Sequence, residues 1–317
     1  MSSMPPHTEE TASGAADWTR TPERSNATML RLMTWISLRL GRRIARLVLY
    51  GVAAYFLLFA PASRAASRNY LQRVLPGPVR WRDMYRHFFH FASTIHDRVY
   101  LLNQRFDLFD IRVVNGEEVR SLMEAGGGLF LLGAHFGSFE VIRAIGRQLP
   151  GMRVAMAMYE ENARQINGTL SAINPAAQQD VIGLGAVDSM LRISAALDDG
   201  IIVGMLADRT LARDVRHPMP LLGQEAGLPL GPFRMAAIMR RPVFFMTGLY
   251  LGGNRYEIHF EPLADFSQLQ AGQRQQAMFA AMTRYTELLE GFCRQAPYNW
   301  FNFFDFWHTA PDQSTKD

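Results

Sequence analysis

The stretch Gly128-Leu-Phe-Leu-Leu-Gly-Ala-His135-Phe-Gly-Ser-Phe-Glu140 decides the reading of this chain. Leu129 to Ala134 is a short apolar run behind three glycines, the pattern of a buried strand. The run ends at His135, small residues follow, and an amphipathic helical pattern then starts through Val141, Ile142 and Ile145. A strand that hands a histidine to a strand-to-helix turn places it at the edge where open α/β sheets bind ligands. On one continuous helix, positions five apart would diverge by about 140°. With His135 in the turn and Glu140 in the first helical turn, the carboxylate can reach back to the imidazole. A carboxylate on one ring nitrogen fixes the tautomer and makes the other nitrogen more basic, which suits a general base acting on a hydroxyl.

Downstream, strand and helix patterns alternate. Residues 152–158 read as strand, 162–173 as helix, 181–183 as strand, 188–197 as helix and Ile201–Leu206 as a second apolar strand. This order predicts an α/β fold, a largely parallel sheet flanked by helices. The second apolar strand also ends in chemistry, at Asp208-Arg209-Thr210. Because that pair leaves a buried strand at the same sheet edge as His135, it reads as a substrate-binding element. The stretch with Pro218, Pro220, Gly223, Gly227 and Pro229 reads as a long loop and candidate lid. A helix is expected from Gly231-Pro232, carrying Arg234 and followed by Arg241, two further phosphate-binding candidates. Residues 242–251 and 255–260 form a predicted strand pair around Gly252-Gly253-Asn254. Residues 272–294 read as helix, and the aromatic tail Tyr298 to Trp307 is expected to pack back over the sheet.

Residues 1–16 read as a disordered tail, residues 79–310 as the main domain and residues 311–317 as a closing tail. Between the first two, residues 17–78 read as a membrane-anchoring helical segment. Leu47 to Ser63 carries no charge and is flanked by Arg46, Arg64 and Arg68. Its helical length of about 25 Å is at the lower limit for a span, so the expectation is an N-terminal membrane-associated helix, in or across the bilayer. Glu9, Glu10, Asp17 and Glu23 argue against a signal peptide. Residues 80–104 form an amphipathic helix. Its His87, His90 and His96 do not converge on a wheel and read as solvated or second-face residues, not metal ligands.

The 317 residues carry a net charge of +4, with Lys316 the only lysine. An arginine-rich chain suits anionic lipid or phosphorylated ligands. No nucleic-acid recognition motif is present. The single cysteine, Cys293, fits a reducing compartment and reads as a small buried hydrophobe. Phe136 replaces the first glycine of a nucleophile elbow, the glycines at 126–128 precede their strand, and the chain body lacks a Walker lysine.

Gly133-Ala-His135-Phe-Gly-Ser-Phe-Glu140 resembles the His-x4-Asp/Glu box of membrane-bound acyltransferases, specifically the lipid A late acyltransferase (lauroyl/myristoyl transferase-like) family. The resemblance extends from Trp18 through Gly41-Arg42-Arg43, Asp208-Arg209-Thr210, Leu222-Gly223, Gly231-Pro232 and Arg241-Pro242 to Pro297-x-x-Trp300. The ending Phe303-Phe304-Asp305-Phe306-Trp307 departs from the basic close usual in that subfamily, which leaves a lysophospholipid-acyltransferase-like acceptor open. The resemblance implies an acyl-carrier-protein thioester donor, a lipid hydroxyl acceptor, the cytoplasmic face of a bacterial inner membrane, a His135–Glu140 dyad and no cofactor or metal. Two other classes remain: a non-catalytic membrane scaffold of a lipid or polyketide assembly system, and a glycosyltransferase.

Overall fold

A computed structural model describes residues 27–142, 153–159, 162, 167–168, 170–171, 173–174, 180–186, 188–210 and 214–307. The expected tails, and most of the helix expected at 162–173, lie outside the described residues. The described helices are α1 (Ala27–Phe59), α2 (Pro61–Val74), α3 (Trp81–Leu102), α4 (Glu117–Glu124), α5 (Ser189–Asp198), α6 (Gly231–Met239) and α7 (Arg274–Gln295). The strands are β1 (Asp110–Val114), β2 (Phe130–Gly137), β3 (Val154–Tyr159), β4 (Asp180–Leu184), β5 (Ile202–Leu206), β6 (Arg216–Leu221), β7 (Gln224–Pro229), β8 (Pro242–Gly252) and β9 (Arg255–Asp265).

Seven strands form one sheet in the order β1-β9-β8-β2-β5-β3-β4. The β8–β9 pair is antiparallel, and every other neighbouring pair is parallel. The apolar run read as a strand is therefore the centre of the sheet, with β8 on one side and β5 on the other. Alternate residues of β2 feed two cores. Phe130, Leu132, Ala134 and Phe136 pack with Phe245, Tyr285, Phe292 and Trp300, whereas Leu131, together with Leu129 just before the strand, packs with Phe244, Met246 and Ile258. Helix α7 lies on the first of these through Met278, Met282, Tyr285, Leu289 and Phe292, spaced at helical intervals along one face. Cys293 is buried there, and burial pushes its thiol up.

Four expectations are corrected. The apolar run 47–63 is not one helix: Pro61 disfavours helical geometry at Ala60, and the chain bends by 95° between α1 and α2. No single helix among the described residues is long and apolar enough to cross a membrane. The supposed lid is a hairpin, β6 paired antiparallel to β7. Its prolines are tolerated because this separate two-stranded sheet has no interior strand to interrupt. His135 lies within β2, which continues to Gly137, and not in the following turn. Finally, the histidines of α3 are not solvated: His87 and His96 are fully buried. His87 Nε2 donates to the Trp300 carbonyl at 2.8 Å, so its Nδ1 accepts from Ser67 Oγ at 2.9 Å.

The buried faces of α1 and α2 belong to the same core as the sheet, through Ala53, Leu57, Tyr70, Leu71 and Val74. Arg42 clamps α1 to α3 with two hydrogen bonds to Asp97, at 2.8 and 2.7 Å, and Tyr256 of β9 donates to the same carboxylate at 2.7 Å. Opposite this buried face, α1 exposes Ile44, Leu47, Val48, Tyr55, Leu58 and Phe59.

Burial holds the pKa of His87 down to about 3, so the ring folds neutral. The unfolded ring, near its ordinary value of about 6.5, binds a proton that the folded one refuses. His87 thus adds to stability above that value, and the contribution fades as the pH falls from there towards 3. Chemical denaturation between pH 7 and 4 should show stability falling with acid, and a smaller fall in His87→Gln.

Candidate active site

The site is assembled where β2 and β5 end side by side. Gly133 pairs with Leu206 in the parallel register, and the Ala207 amide donates to the Gly133 carbonyl at 2.9 Å. Two residues further along each strand are His135 and Asp208, which brings their side chains into contact. His135 Nδ1 lies 2.8 Å from Asp208 Oδ1, and the His135 amide donates to Asp208 Oδ2 at 3.0 Å.

The chain after α7 completes the cradle. Residues 299–301 run antiparallel beside the end of β2: the Gly137 amide donates to the Asn299 carbonyl, and the Phe301 amide to the His135 carbonyl, both at 2.8 Å. This pairing aims Trp300 Nε1 and Asn302 Nδ2 at Asp208 Oδ2, at 3.1 and 3.0 Å. From α3, His87 holds the Trp300 carbonyl. On the other side of β2 the Gly137 and Gly248 backbones meet, at a positive φ of 65° for Gly137; a Cβ there would run into the Gly248 carbonyl.

Asp208 is buried, yet hydrogen bonding and the His135 and Arg209 charges outweigh desolvation and keep its pKa below the ordinary carboxylate value. His135 retains 30% side-chain exposure. Desolvation, reinforced by Arg209, lowers the imidazole pKa, while Asp208 opposes that shift. Since an ionised carboxylate only accepts, Nδ1 carries the proton and Nε2 is the basic nitrogen. Arg209, with its pKa brought by burial to about 10, remains cationic at neutral pH. It donates through Nε to Asn302 Oδ1 at 2.7 Å and through a terminal nitrogen to the Phe301 carbonyl at 3.0 Å.

His135, Asp208 and Arg209 thus come together as the two strand endings suggested, but the carboxylate on Nδ1 is Asp208 where the spacing pointed to Glu140. Glu140 sits buried in the first turn after β2, with Arg98 Nε 3.5 Å away. Arg241 does not join the site. It pairs with Asp198 before β8, at the opposite sheet edge, where Val243 is level with Phe130. Five residues of strand, roughly 17 Å, separate that level from His135. Arg234 lies exposed on α6. Trp300 and Asn302 were absent from the candidate set. Their signal was the polar Asn299 and Asn302 embedded in an otherwise aromatic tail.

A mostly parallel sheet that ends in a carboxylate-held histidine puts a titratable side chain at the edge where open α/β sheets bind ligands. The sequence profile of the bacterial lipid A biosynthesis acyltransferases matches residues 19–309, and the chain belongs to that family. It is an acyltransferase of lipid A biosynthesis type that acts on a lipid acceptor, which sets aside the scaffold and glycosyltransferase readings. No individually curated protein matches the sequence.

Asp208→Ala would leave four buried donors without their acceptor, each worth about 1–3 kcal/mol. Its unfolding free energy should drop by roughly 3 kcal/mol or more in denaturant titrations. Arg234→Ala should stay within about 0.5 kcal/mol of wild type.

Proposed function

We propose that the protein moves a fatty acyl chain from an acyl-carrier-protein thioester to a hydroxyl of a membrane lipid, with His135 as general base and Asp208 as the group that orients it. The observation that carries this reading is the 2.8 Å contact between His135 Nδ1 and the buried Asp208 carboxylate. His135 Nε2 takes the acceptor proton as the hydroxyl oxygen attacks the thioester carbonyl. The carbon–sulfur bond then breaks, and the imidazolium returns its proton to the departing thiolate. Asp208 stabilises the imidazolium in between. Arg209 supplies positive charge beside the base, for the carbonyl oxyanion or for an acceptor phosphate. Glu140, the carboxylate of the His-x4-Glu box, acts through Arg98 and the start of its helix, not through Nδ1. No cofactor or metal enters this scheme.

Steady-state acyl transfer tests the roles. His135→Ala should lower turnover by about 10²- to 10⁴-fold. Asp208→Asn should fall in the same range, and the double variant should be little worse, because the two residues act as one unit. Glu140→Gln should lose less than Asp208→Asn; the reverse ranking would give the orienting role back to Glu140. Folded His135→Ala with wild-type turnover would refute the mechanism. For Arg209→Ala, a higher KM marks phosphate binding and a lower kcat marks oxyanion stabilisation.

The same proposal seats the chain on the cytoplasmic face of the inner membrane. Support comes from α1, whose outer face from Ile44 to Phe59 is apolar although its inner face is already built into the core. A helix apolar on both faces needs a second apolar environment. Arg64 stacks over exposed Trp81 at 5.4 Å beside it, the residue types that anchor at a bilayer interface. With Arg42 clamped to Asp97, α1 would lie in the plane of the membrane and not across it. Sedimentation with anionic phospholipid vesicles should recover the wild type. Leu47→Glu combined with Leu58→Glu should weaken binding by at least about tenfold, given roughly 1.5–3 kcal/mol per buried leucine. Unchanged binding by that variant would refute the seat.

A further inference from the structure

Asp208 and Arg209 are adjacent and opposite in charge; the carboxylate is buried and the guanidinium half-buried beside it. A guanidinium and a carboxylate within reach attract each other and often bond through two parallel hydrogen bonds. Here they do not: among the described residues no hydrogen bond or ion pair joins the two side chains. Asn302 stands between them. Its Nδ2 donates to Asp208 Oδ2 at 3.0 Å, and its Oδ1 accepts from Arg209 Nε at 2.7 Å. The Phe301 carbonyl draws the guanidinium to the same side at 3.0 Å. Asn302 is itself only 2% exposed, so water does not compete for either contact.

We infer that Asn302 is a positioning residue that reserves the Asp208 carboxylate for His135 by holding Arg209 away from it. The chemistry asked of this position is narrow. It must offer a donor to the carboxylate and an acceptor to the guanidinium at once, which a primary amide does in one orientation. An aspartate would offer no donor and would set a second negative charge against Asp208. An aliphatic side chain would offer neither group. Once the amide is gone, one of the contacts that hold the guanidinium off the carboxylate is lost, and Arg209 can turn towards Asp208 Oδ2, where it competes with the imidazole for the carboxylate. The backbone supports this placement, because the Phe301 amide, one residue earlier, is fixed on the His135 carbonyl. Asn302 therefore comes from a segment already in register with the base it serves.

This inference rests on the general-base reading of His135 for its functional meaning, but its test needs no turnover. In ¹⁵N-labelled full-length protein without substrate, the His135 Nδ1–H bonded to Asp208 should give a far-downfield proton resonance. The expected result is that Asn302→Ala shifts it strongly upfield or broadens it away. Adding Arg209→Met to Asn302→Ala should restore it, since the rival for the carboxylate has been removed. Arg209→Met alone should leave it in place. Acyl transfer by Asn302→Ala should lose about 10- to 100-fold in kcat with little change in acceptor KM, the usual scale for a group that orients a reacting one.

If Asn302 only fills space, the resonance stays put in Asn302→Ala, or it is lost there and stays lost in the double variant. Either outcome overturns the inference. Should Asn302→Ala not fold, Asn302→Ser and Asn302→Ser/Arg209→Met are read by the same two criteria. Failure of the general-base reading would appear separately, as wild-type turnover in folded His135→Ala.

Discussion

The buried carboxylate of Asp208 is the constraint on which the rest of this structure depends. A charge withdrawn from water is tolerated only where hydrogen bonds replace its solvation. Four donors do so here, and they come from distant parts of the chain: the amide and the imidazole of His135 on β2, the indole of Trp300 and the amide of Asn302. Satisfying one carboxylate therefore requires β2 and β5 in register, the closing segment laid against the end of β2, and α3 holding Trp300 through His87. The aromatic tail is the wall that excludes water from that carboxylate as well as packing for the sheet. Trp300 is fully buried, edge-on to Tyr70 of α2 at 5.1 Å.

The N-terminal helices meet a different demand. One side of α1 contributes to the core that backs the site, and Arg42 fastens it to Asp97 and the β8–β9 turn. Its other side, from Ile44 to Phe59, is apolar and is not covered by any of the described residues. That combination divides what the sequence presented as one anchor into a buried face that belongs to the domain and an exposed apolar face, the one proposed to meet lipid. Burying the Arg42–Asp97 pair says little about stability, since its desolvation offsets much of its attraction. It does fix where α1 lies, and hence which face looks outward.

How much of this was legible in the sequence follows from how local each signal is. The apolar strands β2 and β5, the β8–β9 pair and helices α3, α6 and α7 carry their periodicity within a few residues and were readable. The hairpin β6–β7 was not, because Pro218, Pro220 and Pro229 normally break strands. Its two-residue turn is also Leu222-Gly223, with both φ angles positive, where Asn-Gly or Asp-Gly is the usual signal. Leu222 is held in that geometry by a contact remote in sequence, its amide donating to Glu290 at 2.8 Å. The site divides in the same way. Each strand ending announced its own residues, His135 and Asp208-Arg209. Their partnership is a matter of register between neighbouring strands, 73 positions apart. Glu140 was the nearest carboxylate along the chain, and Asp208 is the nearest in space. Arg241 looked equivalent to Arg209 by residue type, but it precedes its strand where Arg209 follows one, and so it falls at the other edge of the sheet.

The central claim is that His135, held by Asp208, is the base whose neutral form carries acyl transfer. Burial and Arg209 together set its pKa below the ordinary histidine value. The most direct measurement is to titrate the His135 ring by ¹⁵N NMR and to follow kcat/KM for acyl transfer over the same pH range. The account predicts a neutral ring protonated on Nδ1, and an acid limb of kcat/KM that falls at the pH where that ring gains its second proton, below about 6.5. A neutral ring protonated on Nε2 instead, or an acid limb that does not coincide with the His135 titration, would contradict it.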